Sequence, residues 1–302
     1  MATSGDDTGR CTPQGVSYST LPHMVNADGR YLYCKTWEPT SGDKPRALLM
    51  IAHGLDEHIG WYDDFAQFLT GHNFLVFSHD HIGHGQSEGE RADVKDFNVL
   101  VRDTLQHVDM IVEKYPDTPV YILGYSMGGP VSILAACERP QQFAGVLLIG
   151  PAIKPHPGEA PGWKVFLLKL VVPVVPWLSL TSGDRADLVG KDEVTNQKIQ
   201  DDPLCFHGGL KLRTAAQILT GMQKVQSKMD DIEWPFLVMY GEDDEVVNSE
   251  GSKMLYEKAR SADKTIKTYP NCRHGLLKET KEDADKVKQD ILEWLLARTE
   301  PS

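Results

Sequence analysis

Short, unbroken apolar runs recur along the chain, and longer segments with helical periodicity lie between them. Such runs are typical of parallel strands that are buried on both faces. They occupy residues 47–52, 74–77, 120–123, 144–149 and 235–240. Apolar side chains recur at helical spacing between residues 97 and 111, and again between 284 and 295. This alternation predicts an α/β fold with a mostly parallel central sheet and helices on both faces.

The segment from 154 to 225 interrupts this alternation. It contains no convincing central strand, and it begins with a proline-rich stretch. We interpret it as a helical cap, or lid, inserted into a single domain that spans residues 1–302. The core of that domain comprises residues 20–153 and 226–302. Residues 1–19 are mostly polar, and we expect them to be flexible.

Composition narrows the choice of partners and compartment. The 302 residues include 31 basic and 43 acidic side chains, a formal net charge of −12. An acidic chain without a long Lys/Arg run is a poor nucleic-acid binder. The five cysteines are scattered, and no Cys-x-x-Cys pair suggests a disulfide framework or a zinc site. Neither a secretory leader nor a long apolar span is visible, so we expect a cytoplasmic protein.

A Gly-x-Ser-x-Gly motif at residues 124–128 is the strongest chemical signal in the sequence. It follows an apolar strand-like run and precedes a segment that reads as a buried helix. This context is typical of a nucleophile elbow, a turn so tight that larger side chains two before and two after the serine would clash. The motif therefore predicts that Ser126 is an exposed nucleophile at the end of a strand.

A serine nucleophile needs a histidine base and a carboxylate that orients the base. In enzymes with this turn, the acid and then the histidine follow the serine along the chain. Asp243 and Asp244 both lie in the acidic loop after the run 235–240. We favour Asp244, because apolar residues resume directly after it, and keep Asp243 as the alternative. His274 is the only histidine after His207, so we predict it to be the base.

Acyl transfer also needs two hydrogen-bond donors for the developing oxyanion. One donor should be the backbone N–H of Met127, directly after the nucleophile. The other should come from the loop after the run 47–52, where the N–H of Leu55 is the candidate. This chemistry requires no metal and no organic cofactor.

The spacing His79-x-His81-x-x-His84 invites a metal-site interpretation. A zinc hydrolase with a His-x-His-x-Asp-His motif would have an aspartate where this chain has Gly83. Because that ligand is missing, we interpret the segment as a strand followed by a turn beneath the active site.

Three motifs together resemble the monoglyceride lipase branch of the α/β-hydrolase, serine aminopeptidase S33-like family. They are His-Gly-x-x-Glu-His at 53–58, His-Asp-His-x-Gly-His-Gly-Gln-Ser-Glu-Gly at 79–89, and the elbow at 124–129. The similarity runs from about residue 21 to the last helix. It implies an α/β-hydrolase fold, a triad of Ser126, Asp244 and His274, and a cap that leads lipid into a deep apolar tunnel.

The chain departs from that family at the alcohol end of the substrate site. The resemblance implies a Glu, an Arg, a His and a Tyr around the glycerol. Glu57 matches the first of these residues. Trp61, Leu277 and Ile199 occupy the other three positions, which leaves the headgroup preference open.

The stretch 163–178 within the cap is apolar but is interrupted by two prolines and two lysines. We expect it to lie on a membrane surface, with its lysines near lipid headgroups. The side chains expected to enter the interface are Trp163, Phe166, Leu167, Leu170 and Trp177. An ordinary buried helix and a homodimer contact are the alternatives.

Taken with the resemblance, these features indicate a serine hydrolase that cleaves monoacylglycerols to fatty acid and glycerol through an acyl-enzyme. A lysophospholipase or a general carboxylesterase of the same fold is the alternative. A catalytically silent binding module is a third possibility, although such a protein would usually lack a triad residue, and this chain lacks none.

Overall fold

The computed structural model describes residues 9–42, 44–155, 172, 175–179 and 186–299. Within them, eight strands form one sheet in the order β1-β2-β4-β3-β5-β6-β7-β8. The strands are β1 (His23–Val25), β2 (Tyr31–Trp37), β3 (Ala47–Ala52), β4 (Phe74–His79), β5 (Val120–Tyr125), β6 (Phe143–Ile149), β7 (Phe236–Gly241) and β8 (Lys264–Tyr269). The strand β2 pairs antiparallel with β1 and β4, and all other neighbours are parallel.

Helices cover both faces of this sheet. The α-helices of the described residues are α1 (Asp63–Thr70), α2 (Phe97–Val112), α3 (Gly128–Glu138), α4 (Ala186–Val189), α5 (Glu193–Asp201), α6 (Leu212–Gln226), α7 (Glu250–Lys258) and α8 (Lys281–Leu296). Short 3-10 helices lie at Tyr18–Thr20, Ile59–Tyr62, Met229–Asp231 and Leu276–Lys278. The predicted mostly parallel sheet with helices on both faces is confirmed.

Alternate residues of each central strand enter two separate hydrophobic layers. Leu48 and Met50 of β3 pack in the layer formed with α2, α3 and α7. Leu49 and Ile51 pack in the layer formed with α1 and α8. All four side chains are fully buried. Because both faces are covered, the strand reads as an unbroken apolar run rather than an alternating one.

Within the segment 154–225, which we interpret as a cap, the described residues contain three helices and no strand of the central sheet. Between β6 and β7, the described residues form α4, α5, α6 and a 3-10 turn, and Ser179 and Lys211 form an isolated bridge. Trp163, Phe166, Leu167 and Leu170 lie outside the described residues.

Part of the N-terminal segment that we expected to be flexible instead packs on the core. Tyr18 is only 1% exposed, and its hydroxyl donates a hydrogen bond of 2.5 Å to the backbone carbonyl of Gln86. Its ring contacts His23 and Tyr31. Burial of a large aromatic side chain with its hydroxyl satisfied fixes the segment, which a count of polar residues does not reveal.

Candidate active site

The nucleophile elbow joins β5 to α3. Ser126 has a φ of 53°, a left-handed conformation that is uncommon for a residue with a side chain. A Cβ on Gly124 would lie 2.4 Å from the Gly128 carbonyl oxygen, and one on Gly128 would lie 1.9 Å from that of Ala52. The prediction that this turn requires glycine on both sides of the serine is therefore confirmed.

The three residues proposed as a triad meet at the carboxyl ends of β5, β7 and β8. Nε2 of His274 lies 2.8 Å from Oγ of Ser126, and Nδ1 lies 2.8 Å from Oδ2 of Asp244. His274 is 3% exposed, and the side chain of Asp244 is 2% exposed. Because hydrogen bonds link the hydroxyl, the buried imidazole and the buried carboxylate, a proton can move from the hydroxyl to the ring.

The acid loop distinguishes the two candidate aspartates. Oδ1 of Asp244 accepts hydrogen bonds of 2.9 Å from the N–H groups of Val246 and Val247. Burial alone would raise the pKa of Asp244, but His274 and these two amides together hold that pKa below its ordinary value. Asp243 is instead half exposed and paired with Lys191. The structure therefore places Asp244, rather than Asp243, behind the imidazole.

The loop of residues 53–56, here called the 53–56 loop, lies directly against the nucleophile. A Cβ on Gly54 would lie 3.2 Å from the Cβ of Ser126. Nδ1 of His53 donates to the Gly54 carbonyl at 2.7 Å, since its Nε2 accepts from the His81 N–H at 2.8 Å. This arrangement holds the loop where the N–H of Leu55 could serve as one of two oxyanion donors.

Glu57 and Trp61, two of the four expected alcohol-side residues, both contact the side chain of Lys278. The Glu57 carboxylate forms an ion pair with Lys278, whose ammonium also lies 5.8 Å from the centroid of the Trp61 ring. Leu277 is the chain neighbour of Lys278, whereas Ile199 lies on the cap helix α5, and both side chains are partly buried.

Lys278 is a residue of the site that the sequence analysis missed. Its ammonium also lies 5.0 Å from the centroid of the Tyr125 ring, which in turn lies 5.0 Å from that of His274. The available sequence signal is a lysine that follows two leucines, four residues after the predicted base. A lysine next to apolar residues close to a catalytic histidine is a candidate for burial with an acid.

One group of possible metal ligands is found in the described residues: His58, Asp202 and Cys205 offer donor atoms within 4.8 Å of one another. Nδ1 of His58 accepts from the Gly60 N–H at 3.1 Å, which leaves the ring proton on Nε2, facing Asp202 at 2.8 Å. Cys205 accepts from the Trp61 indole at 3.3 Å. We therefore interpret the group as a hydrogen-bonded contact between core and cap.

The described part of the cap exposes three large apolar side chains. Trp177 is 64% exposed and its neighbour Leu178 is 54% exposed, and Val194 on α5 is 62% exposed. Among the described helices, none has the length and apolar character needed to cross a bilayer.

Sequence comparisons place this chain close to known lipases. A family model described as serine aminopeptidase, S33, matches residues 43–281. Over 290 residues the chain is 44% identical to the monoglyceride lipase of Mus musculus and 43% identical to that of Homo sapiens. These alignments cover 96% of this chain and 94% and 95% of the two relatives, respectively.

Solved structures share the same architecture. The monoacylglycerol lipase of Paleococcus ferrophilus is 26% identical and superposes with a TM-score of 0.76, covering 89% of this chain and 99% of that one. A soluble variant of the monoglyceride lipase of Saccharomyces cerevisiae, in complex with a substrate analog, gives a TM-score of 0.80 at 22% identity over 99% of both chains. At this lower identity the likeness concerns the fold, and the expected α/β-hydrolase architecture is confirmed.

Proposed function

Because the chain belongs to the serine aminopeptidase S33 family, we propose that it is a serine hydrolase that converts monoacylglycerols to fatty acid and glycerol. The choice of substrate is supported by the relatives named monoglyceride lipases, which are 43–45% identical over 96% of this chain. The observation that carries the proposed chemistry is the pair of 2.8 Å contacts that His274 makes with Ser126 and Asp244.

The reaction begins when Oγ of Ser126 attacks the ester carbonyl and its proton passes to Nε2 of His274. Asp244 accepts the Nδ1–H and stabilises the imidazolium that forms. The tetrahedral intermediate collapses as His274 returns the proton to the glycerol oxygen, which leaves an acyl-enzyme on Ser126. A water molecule, deprotonated by His274, then attacks the acyl group, and the fatty acid is released as Ser126 regains its proton.

The negative oxygen of each tetrahedral intermediate needs donors that are already in position. Met127 is the residue directly before α3, and Leu55 lies on the 53–56 loop beside Ser126. Their backbone N–H groups are the candidate donors. We assign these two amides as the oxyanion hole. Loss of one such donor typically lowers the rate by roughly 10²–10³-fold.

Active-site labelling is the most direct test of this proposal. A fluorophosphonate probe should label the parent protein, and Ser126→Ala should abolish the labelling. Purified protein should also release fatty acid from a monoacylglycerol. Failure of the parent protein to react with the probe would refute the hydrolase and favour a non-catalytic binding module.

The alcohol half of the substrate is tested by comparing two esters with the same acyl chain. We expect kcat/KM for the monoacylglycerol to exceed that for the corresponding lysophosphatidylcholine. The reverse preference would replace the proposed activity by that of a lysophospholipase. Equal rates on these substrates and on simple alkyl esters would indicate a general carboxylesterase.

We also propose that the cap contacts a lipid surface, since Trp177 and Leu178 are exposed and apolar side chains are stable at a membrane interface. Changing both residues to alanine should lower cosedimentation with phosphatidylcholine–phosphatidylserine vesicles several-fold. Val194→Ala is the matched control, because Val194 is 62% exposed on the polar helix α5. If the double variant changes the mass in solution but not vesicle binding, the patch is a homodimer contact.

A further inference from the structure

Glu57 directly follows the 53–56 loop, and both of its carboxylate oxygens are bound by groups of the protein. Oε1 accepts a hydrogen bond of 2.7 Å from the Gly54 N–H and another of 2.7 Å from the Tyr62 hydroxyl. Oε2 pairs with the ammonium of Lys278. The side chain of Glu57 is 6% exposed and that of Lys278 is 11% exposed. A carboxylate bound in this way has little capacity left for a substrate hydroxyl.

The three partners of Glu57 come from separate parts of the site. Gly54 belongs to the 53–56 loop, and Tyr62 ends the 3-10 helix that follows it. Lys278 lies on the 3-10 helix that follows the catalytic histidine loop, and its ammonium contacts the ring of Tyr125, the residue before the nucleophile. The ion pair therefore connects the chain segments that carry the oxyanion donor, the base and the nucleophile.

Charge explains why the lysine is needed. An uncompensated carboxylate next to the ester would repel the negative charge that develops on the carbonyl oxygen, and at low dielectric this repulsion is strong. The Lys278 ammonium cancels the charge of Glu57 while leaving its hydrogen bond to the Gly54 N–H intact. Glu57 can thus orient the 53–56 loop without opposing the reaction.

We infer that Glu57 and Lys278 are positioning residues that hold the 53–56 loop, and with it the Leu55 N–H, in the geometry that stabilises the oxyanion. This inference rests on the proposed serine hydrolase function. It differs from our expectation for Glu57, which was a direct contact with the alcohol of the substrate. The oxyanion forms on the acyl side of the ester. A positioning role therefore predicts that loss of Glu57 lowers the rate whatever the leaving group, whereas a contact with the alcohol predicts a loss only when the leaving group is glycerol.

The test compares a monoacylglycerol with the p-nitrophenyl ester of the same fatty acid. Glu57→Ala removes the acceptor that holds the Gly54 N–H, and Lys278→Met leaves the charge of the carboxylate uncompensated. Each variant should lower kcat/KM by about 10²-fold on both esters, since the transition state of either reaction is then stabilised less well. A loss confined to the glycerol ester would overturn the inference and assign Glu57 to the alcohol. Activity retained by both variants on both esters would also overturn it.

Two further variants separate positioning from general stability. Lys278→Arg keeps the charge and should recover a substantial part of the activity that Lys278→Met loses. Lys267→Met removes another partly buried ion pair, with Asp290 between β8 and α8, and should leave kcat/KM unchanged. Equal losses for Lys267→Met and Lys278→Met would show that the effect is structural.

Tyr62→Phe keeps the inference testable if Lys278→Met does not fold. It removes a single hydrogen bond to Oε1 of Glu57. It should lower kcat/KM for both esters by the same factor, which should be smaller than the factor for Lys278→Met. The parent protein and Lys267→Met should react with the fluorophosphonate probe at the same rate. If neither of these two proteins reacts, the proposed hydrolase function is refuted. If only the positioning variants fail to react, the hydrolase function stands and the result supports a role for Glu57 and Lys278 in positioning the 53–56 loop.

Discussion

Asp244 reaches His274 through Oδ2, at 2.8 Å from Nδ1 of the imidazole, and its other oxygen is held by two backbone amides. Replacing this aspartate by asparagine should keep the shape but favour the wrong tautomer of the ring. We expect Asp244→Asn to lower kcat by about 10⁴-fold, as such a change does in serine proteases. Steady-state hydrolysis of a monoacylglycerol provides the measurement.

Asp243→Asn is the matched control, because it changes the neighbouring acid without touching the imidazole. Asp243 is half exposed and pairs with Lys191, so the variant should lose little activity. A larger loss for Asp243→Asn than for Asp244→Asn would show that the acid had been assigned to the wrong residue.

Gly128 illustrates a position where even one methyl group has no room. Its Cβ would lie 1.9 Å from the Ala52 carbonyl oxygen, an atom of the central strand β3 that cannot move aside. Gly128→Ala should therefore destabilise the protein by about 3 kcal/mol, a large overpacking effect. Thermal unfolding should show a midpoint lowered by several degrees. Gly71→Ala is the control, since its nearest neighbours would be at 3.4 and 3.7 Å, and an unchanged midpoint is expected there.

The sequence alone was sufficient for the parts of the site that depend on local geometry or chain order. The turn around Ser126 is a local pattern, and His274 is the only histidine after His207. The apolar residues that follow Asp244 favour it over Asp243, and in the structure Asp244 is hydrogen-bonded to His274. Central strands were visible because burial on both faces makes them continuously apolar.

Contacts between distant segments were not predictable in this way. Lys278 meets Glu57 across 221 positions of the chain, and His58 meets Asp202 across 144. No periodicity encodes such pairs, because they depend on how the strands are ordered in the sheet. The packing of Tyr18 is another example, since its partner Gln86 is fixed only once β2 pairs with β4.

Buried histidines beneath the active site should make the fold sensitive to acid. Burial, together with neighbouring imidazoles at some positions, lowers the pKa of five histidines, to about 4 for His84 and about 3 for His107. The other three are His53, His79 and His81. Each ring stays neutral in the folded chain at a pH where the unfolded chain, with a pKa near 6.5, takes up a proton.

Protonation of these histidines in the unfolded chain makes the folded chain less stable at low pH. Stability is fully present above about pH 6.5 and is lost as the pH falls toward 4, by up to about 1.4 kcal/mol per pH unit for each histidine. Asp80 acts in the opposite direction, because burial raises its pKa to about 6 and the folded chain binds that proton first. Urea unfolding at pH 7.5 and pH 5.5 should show a clearly lower midpoint at pH 5.5. Equal midpoints would mean that these rings are not buried in the neutral form.

The contact between His58 and Asp202 should hold the cap against the core. Nε2 of His58 donates to Oδ2 of Asp202 at 2.8 Å, and the adjacent Phe206 N–H donates to the Asp56 carbonyl of the 53–56 loop at 2.9 Å. Asp202→Ala should cost about 1.5–3 kcal/mol locally, the usual contribution of a hydrogen bond to a charged group. Hydrogen exchange should accelerate in residues 202–206, and kcat/KM should fall as the neighbouring loop loosens. Asp201→Ala is the control, because Asp201 is exposed and accepts a hydrogen bond from Gln197 of the same helix. If both variants accelerate exchange equally, the cap is not held by this contact.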